Sequence, residues 1–540
     1  MAAIRKLEEV DLQLKDDMNL IEKVICNVTD IEDNEMREFD IGFDKTILLV
    51  KQNGIFFAIG SKCSHNNAQL SMGVLGERRV RCPMHGACFN IETGDIEDFP
   101  GLDSIPSFIV NVEQGHVKIK VKLSDLKNNK RIKWMAGKDK KDQRTFVIIG
   151  GGPCAQTCAE TLRQSSFKGT IVMICKEDIL PYDRTRISKA MDSKKEQLQL
   201  RNQVFFKKHD IKILLSTSAT KLTNNQVLLS NGNYLKFDKV LIATGARAKI
   251  PNIPGIDLQN IFTLRTLADA HEIHSQLTLK SHVVILGSSF VALEAAAYCV
   301  DKVLNVIVIG IDDIPLKYSF GVAIGTRIME FCQENKVFFE MNSGITQCIG
   351  KDGILKAVQL SNGDILKANI LILGIGSELN TDFLIDSGIL INENGSISTN
   401  LFMETNMQNM YAAGDIANSP IFTNHNELDT IGHYGLAQYH GKVAALNMCG
   451  ITTELKAIPY FWFTLFERTF NFTGHGKTSE VIYEGNLKAL KFVAFYFDAE
   501  EFLIGMASCQ PHKSVAEFAE KLAQGSQFHK SNIEWSMNFK

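Results

Sequence analysis

Short apolar runs that break into small-residue turns set the rhythm of the middle of the chain. Phe146 to Ile149 reads as a buried strand, and Gly150-Gly151-Gly152 turns it. Behind Pro153, residues Ala155, Ala159 and Leu162 recur at helical spacing. The same strand–turn–helix pattern returns as His282–Leu286, Gly287-Ser288-Ser289 and Phe290–Cys299. Ile171–Cys175 and Val306–Ile309 supply a second strand after each helix. Val240–Ala243 and Met410–Ala413 are further apolar runs that end in small residues. Residues 21–122 have another texture, with short strands at Lys23–Cys26, Thr46–Lys51, Ile55–Ile59, Phe108–Val112 and His116–Val121. Turns such as Gln52-Asn53-Gly54 and Gln114-Gly115 separate them. Residues 451–540 mix strands at Leu490–Phe497 and Phe502–Ser508 with a helix at Ser514–Leu522. The pattern predicts an all-β module, two α/β domains and a small α+β region.

Composition narrows this only a little. A chain of 540 residues, 45% apolar and 22% charged, suits three or four ordinary globular domains. A net charge of -3 gives no reason to expect nucleic acid or an anionic membrane as partner. No apolar run reaches transmembrane length. The N-terminal stretch has no apolar signal region and is acidic for a mitochondrial transit peptide. A cytoplasmic location is therefore the expectation, with the mitochondrion as runner-up. Twelve scattered cysteines fit a reducing compartment.

The first turn carries chemistry. Gly150-x-Gly152-x-x-Ala155 has the spacing of a dinucleotide fingerprint. Gly150 permits the turn, Gly152 lets backbone approach a pyrophosphate, and Ala155 lets helix and strand pack closely. The helix N-terminus offers unpaired N–H groups to phosphates. Glu177, after the next strand, is placed to accept ribose hydroxyls.

A second constellation lies in the all-β module. Cys63-Ser64-His65 is followed by Cys82-Pro83-Met84-His85. Two cysteines would hold one iron of a [2Fe–2S] cluster and two histidines the other. Zinc fingers of the Cys2His2 kind order their ligands C…C…H…H, unlike the C-H…C-H order here. This module resembles the Rieske ferredoxins, which implies metal ligation by Cys63, His65, Cys82 and His85. High-potential members resemble C-T-H-L-G-C…C-P-C-H-G-S, whereas this chain has Ala68, Met84 and Ala87 at the extra positions. Fewer hydrogen bonds to sulfur predict the low end of the Rieske range, about -150 mV. Residues 123–143 read as a polar, lysine-rich linker.

The later motifs, in order, are GGGP, PYDR…SK, ATGA, LRTLADA, LE after the second turn, and AAGD. They resemble the FAD-dependent pyridine nucleotide oxidoreductases of the ferredoxin-reductase branch, which includes the apoptosis-inducing factors. With a Rieske module in front, the resemblance is to the apoptosis-inducing factor 3 type. It implies a tail 1–20, a Rieske domain 21–122 and a linker 123–143. It then implies a Rossmann-like FAD domain 144–271 and 375–450, split by an NAD(P) domain 272–374, and an interface domain 451–540. Carried over by position, Gly150, Gly152, Ala155, Glu177, Arg184, Lys189, Ala243, Gly245, Gly414 and Asp415 would hold FAD, and Gly287 the nicotinamide nucleotide. Lys189 and Glu294 resemble a catalytic pair beside the isoalloxazine ring, where a cation favours the anionic reduced flavin.

The second turn departs from the fingerprint. Ser289 and Ala292 stand at glycine positions, so Ser289 is expected to put a side chain where backbone should approach the pyrophosphate. The following strand ends Val308-Ile309-Gly310 with no acid, and Asp312 is the candidate substitute. The residues do not choose between NADH and NADPH.

Other chemistries fit less well. Cys154 and Cys158 read as buried structural cysteines rather than a redox pair. Asp429, His433 and His440 lack the D-x-x-H-x-x-x-x-H spacing of a mononuclear iron site, and His433 is expected above the flavin or in a turn. Pro459-Tyr460-Phe461-Trp462 resembles a stretch that lies near the flavin in the reductases, or is an apolar packing edge. A homodimer through this region is compatible with the sequence. The expected enzyme passes electrons from NAD(P)H through FAD to the cluster and on to an external acceptor, a protein or a small molecule. The competing expectation is a redox-sensing, apoptosis-linked signalling protein with little turnover.

Overall fold

A computed structural model describes residues 20–42, 44–122, 125, 128–510 and 513–533. The expected tail 1–20 lies outside them except for Leu20, which opens the first strand, Leu20–Asn27. Residues 123, 124, 126 and 127 of the expected linker also lie outside. The described residues form two compact units. One holds the residues up to Trp134 together with 513–526, and the other holds Met135–Gln510 with Gln527–Ile533.

The first unit is built on a six-stranded antiparallel sheet. Its order is Leu20–Asn27, His116–Lys122, Ser107–Glu113, Ile55–Gly60, Lys45–Gln52 and Glu35–Gly42. His116–Lys122 alternates strictly, with Val117, Ile119 and Val121 in the core. Glu35–Gly42 has no counterpart in the sequence reading. It is the last strand in the order, so one edge needs no partner, and of its residues only Ile41 is buried. A small four-stranded sheet, Val74–Leu75, Arg79–Arg81, Cys88–Asn90 and Ile96–Asp98, is also new. Helix Lys513–Ala523 belongs to this unit and contacts Val74–Leu75. The expected interface domain 451–540 is thus divided: its strands stay with the second unit and its helix completes the first.

Two parallel five-stranded sheets form the middle of the second unit. One runs Ile211–Leu214, Thr170–Ile174, Thr145–Ile149, Lys239–Ile242, Met410–Ala412. The other runs Ile261–Thr263, Ile370–Leu373, His282–Leu286, Asn305–Ile309, Val337–Glu340. In both, the strand that feeds the glycine turn is central, which explains its unbroken apolar sequence. Met410–Ala412 pairs with Lys239–Ile242, so the first sheet is completed only after the chain has built the second. Strands of 460–509 form a five-stranded antiparallel sheet. The linker is not a loose tether at its end: Met135 and Ala136 are buried, and the Ala136 amide donates to Arg163 O.

Helix Tyr434–Met448 packs on helix Pro153–Gln164. At Gly441 the two are so close that a Cβ would collide with the Cys154 carbonyl. Cys154 and Cys158 are buried in this contact as free thiols, as expected. Gly441→Ala gains helix propensity of about 1 kcal/mol but overpacks the crossing. The expected net loss is about 1–3 kcal/mol, read as a lower urea midpoint for unfolding of the second unit.

Candidate functional site

In the first unit, two loops of matching build carry the Cys/His quartet. The Cys63 amide donates to Ala68 O at 2.8 Å and the Asn67 amide to Cys63 O at 2.9 Å. The Cys82 amide likewise donates to Ala87 O at 2.8 Å and the Gly86 amide to Cys82 O at 3.1 Å. Asn67 and Gly86 take positive φ at the same point of each loop, 57° and 80°. The loops therefore present their cysteines to each other and their histidines to each other. The Cys63 and Cys82 side chains are hydrogen-bonded, and His65 Nδ1 lies 3.1 Å from His85 Nδ1. Both cysteines and His85 are buried, and His65 is half-buried.

This donor set fits a two-iron cluster. It is two pairs, one of sulfur and one of nitrogen, and among the described residues no three His, Cys, Asp or Glu side chains converge as a single ion would need. Backbone amides of His65 and Asn66 point at the Cys63 sulfur, and those of Met84 and His85 at the Cys82 sulfur. Ala68 and Ala87 hold the places where the two loops close, so no hydroxyl enters from those positions.

In the second unit, Gly150 stands at φ 148° directly under Ala243, whose carbonyl a Cβ would strike. Gly152 faces open space and caps helix Pro153–Gln164 without any side-chain hydrogen bond. The first amides of that helix are thus left for a phosphate, which fits a dinucleotide. Ala155 is wholly buried, as its packing role requires. Glu177 and Arg184 meet in an ion pair, and Glu177 Oε2 also accepts from Tyr182 Oη at 2.8 Å. Two further acceptor sites on that carboxylate remain for hydroxyls.

Gly414 stands at φ 78° against Cys154 and Ala437. Its amide donates to His440 Nδ1 at 3.3 Å, while His440 Nε2 is buried with no partner. Asp415 Oδ2 accepts from Arg265 at 3.0 Å, and Arg265 Nε donates to Ala246 O. Gly245, at φ 60°, sits beside the same guanidinium. Arg265 is the residue that sequence reasoning passed over. It lies inside the LRTLADA motif, but only the fold reveals that it bridges the ATGA and AAGD turns.

Lys189 and Glu294 form an ion pair at 2.8 Å, although 105 positions separate them in the sequence. Glu294 is held hard: Oε2 accepts from Ser188 Oγ at 2.5 Å and Oε1 from the Thr464 amide at 3.3 Å. Lys189 Nζ also donates to Thr185 O at 2.8 Å. Three elements therefore meet at this carboxylate: the PYDR…SK loop, helix Phe290–Cys299 and strand Tyr460–Leu465. Phe461 lies 4.6 Å from Phe290, and Trp462 lies edge-on to His433 at 5.8 Å. The Tyr460–Phe463 stretch is thus a packing edge that also reaches the residue capping helix Tyr434–Met448. Burial pushes both His433 and His440 down to about 4, so each is neutral near pH 7.

The second nucleotide turn differs from what the sequence suggests. Gly287, at φ 107°, sits under the Gly374 carbonyl as Gly150 does under Ala243. Ser289 does not reach across the turn: Oγ donates to Gly374 O at 3.2 Å and accepts from the Ala292 amide at 3.4 Å as the helix cap. A serine at this position satisfies its own helix end, so its hydroxyl is held by Gly374 O and the Ala292 amide. The strand ends without an acid, and a Cβ on Gly310 would meet the end of the Met341 side chain and Ser288 Oγ. Asp312 lies two residues on and is 3.8 Å from Lys317. No mononuclear iron site forms among Asp429, His433 and His440. Asp429 pairs with His475 at 2.8 Å, and each histidine ring accepts from a backbone amide.

Residues 144–441 match the pyridine nucleotide-disulphide oxidoreductase family, and residues 22–109 match the Rieske [2Fe-2S] domain. Apoptosis-inducing factor 3 of Mus musculus is 37% identical over 525 residues, which cover 96% of this chain and 86% of that protein. Rhodocoxin reductase of Rhodococcus erythropolis is 27% identical over 341 residues, 61% of this chain and 78% of the reductase. Among solved structures, the ferredoxin reductase for the CYP199A2 system from Rhodopseudomonas palustris has a similar fold. Its TM-score is 0.69 at 22% identity, over 74% of this chain and 99% of its own.

Two outcomes follow from this geometry. Lys189→Met should lower the flavin's two-electron potential and Glu294→Gln should raise it, each by about 30 mV, a tenfold change in equilibrium; equal signs in a spectroelectrochemical titration would refute the pairing. Ser289→Gly should cost only a few tenths of a kcal/mol as a lost cap and leave the Kd for NADH nearly unchanged by isothermal calorimetry.

Proposed function

The chain belongs to the pyridine nucleotide-disulphide oxidoreductase family in its Rieske-bearing, apoptosis-inducing factor 3-like form, and on that premise we propose that it is a self-contained electron-transfer chain. It is an NAD(P)H-dependent flavoprotein of the ferredoxin-reductase group, with FAD and a Rieske [2Fe–2S] cluster as its cofactors. In our reading, electrons pass from NAD(P)H through FAD to the chain's own cluster and then to an external one-electron acceptor. What carries the reading is that one polypeptide holds both a two-nucleotide reductase core and a separate Cys2His2 donor set. Relatives named as reductases serve a carrier that is a separate protein by name, such as rhodocoxin; here the carrier is fused to the reductase.

When bound, FAD supplies the conversion from hydride to single electrons, and the cluster supplies one-electron relay. The chain's residues set the stage for this. The open helix end at Gly152 and the Glu177 carboxylate bind and orient the dinucleotide. Lys189 presents a positive charge whose position Glu294 fixes. Neutral His433 and His440 add no competing charge near Asp415. His65, the more exposed ligand, offers the edge through which electrons leave. A blocked nicotinamide turn would favour the signalling alternative; the Ser289 hydroxyl is instead bonded to Gly374 O.

The test is an anaerobic titration of purified protein with NADH and then NADPH, followed by absorbance and low-temperature EPR. Bleaching of the flavin band together with a Rieske-type signal is the expected result. Protein that contains both groups but is reduced by neither nucleotide would overturn the proposal.

A further inference from the structure

Directly before the ligand Cys82, strand Arg79–Arg81 carries two arginines, and one of them is almost entirely removed from solvent. Arg81 is 1% exposed and spends its donors on three partners. Nη1 donates to the Gly86 carbonyl at 2.9 Å, Nη2 to Asp98 at 2.7 Å and Nε to Glu520 at 2.6 Å. Arg79 Nε donates to the other Glu520 oxygen at 2.8 Å, and Arg79 Nη1 lies 3.9 Å from Asp98 Oδ2. The Cys88 thiol lies 3.5 Å from Glu520. Two guanidinium groups thus face two carboxylates, and one carboxylate arrives from a helix 439 positions away.

The shape of the site is fitted to that carboxylate. A Cβ on Gly76 would collide with Glu520 Oε2. Glu520 lies among the buried positions of helix Lys513–Ala523, beside Ala516, Ala519 and Leu522, rather than on its wet face. Gly86, which Arg81 grips, follows the ligand His85 and closes the loop back to Cys82.

We propose that Glu520 is a positioning residue of the cluster: it holds Arg81 against the Cys82–Ala87 loop and balances the buried guanidinium charge, so the C-terminal helix sets the cluster's reduction potential. The inference rests on the ligand assignment above. A reduced cluster carries one more negative charge than an oxidised one. Removing the Glu520 charge leaves the two arginines in excess in a low-dielectric site, which favours the reduced form. Unlike a surface pair, this one is shielded from salt and water.

The experiment uses the full chain with FAD and cluster in place. EPR-monitored redox titration gives the cluster potential, iron per chain gives occupancy, and absorbance gives the flavin potential in the same samples. Glu520→Gln should keep wild-type iron and shift the one-electron equilibrium about tenfold toward reduction, ~59 mV upward, with the flavin unmoved. Glu520→Asp, which keeps the charge, should move less than a third as far. An occupied Glu520→Gln cluster at the wild-type potential overturns the inference, as does an Asp variant that shifts as far as Gln. Should Glu520→Gln lose its iron, Asp98→Asn removes a carboxylate from the same guanidinium: an upward shift there supports the charge balance, and no shift or a second loss of iron overturns it. A wild-type protein without a Rieske signal would sink the ligand assignment and this inference together, whereas unshifted variants of a loaded protein sink this one alone.

Discussion

Lack of room beside two glycines governs the nucleotide half of the molecule. At Gly150 the neighbouring strand ends with the Ala243 carbonyl where a side chain would begin, and at Gly287 the Gly374 carbonyl does the same. Each strand can therefore hand over to its helix in three residues, with the helix start pressed over the sheet's C-terminal edge. The rest follows from that tightness. Helix Pro153–Gln164 lies low enough for Tyr434–Met448 to cross it at Gly441, and that second helix brings His440 to the Gly414 amide. A methyl group at any of these contacts would lift one layer off the next.

The two nucleotide turns then diverge at a single side chain. The first helix is capped by a glycine and leaves its amides open, while the second is capped by the Ser289 hydroxyl. The same backbone geometry thus presents two different surfaces, one bare and one partly satisfied from within. Buried charge is handled in the same economical way. Glu294 ties a lysine and a serine of one loop and a backbone amide of a strand to its own helix, and Glu520 ties two arginines. In both cases a carboxylate holds together segments that the sequence keeps far apart.

Legibility followed the range of the interactions. The strand–turn–helix units could be read because glycine spacing and apolar runs are local, and the helix Phe290–Cys299 and strand His282–Leu286 fall on the positions expected. The cluster ligands could be read because each cysteine has its histidine two or three residues further on, a local signal. Edge strand Glu35–Gly42 could not, since its charges are tolerated at the sheet margin and blur the alternation. Arg265 and Glu520 could not for a different reason. Each looks like an ordinary charge on an amphipathic or polar stretch, and only tertiary structure supplies the carboxylate or guanidinium opposite. Ser289 could be seen as a departure, but not which way its hydroxyl would turn.

The helix that completes the first unit has a consequence for the order of events in the cell. Arg79 and Arg81 are synthesised early, and the carboxylate between them is 439 residues later. At translation rates of about 5–20 residues per second, roughly 20–90 seconds separate the two. During that interval the nascent cluster loops hold two guanidinium groups against Asp98 alone, while both nucleotide sheets are being made. The first unit is thus started before the two nucleotide sheets and finished after them, and a ribosome that stalls before Glu520 leaves a Cys/His quartet without its final counter-charge.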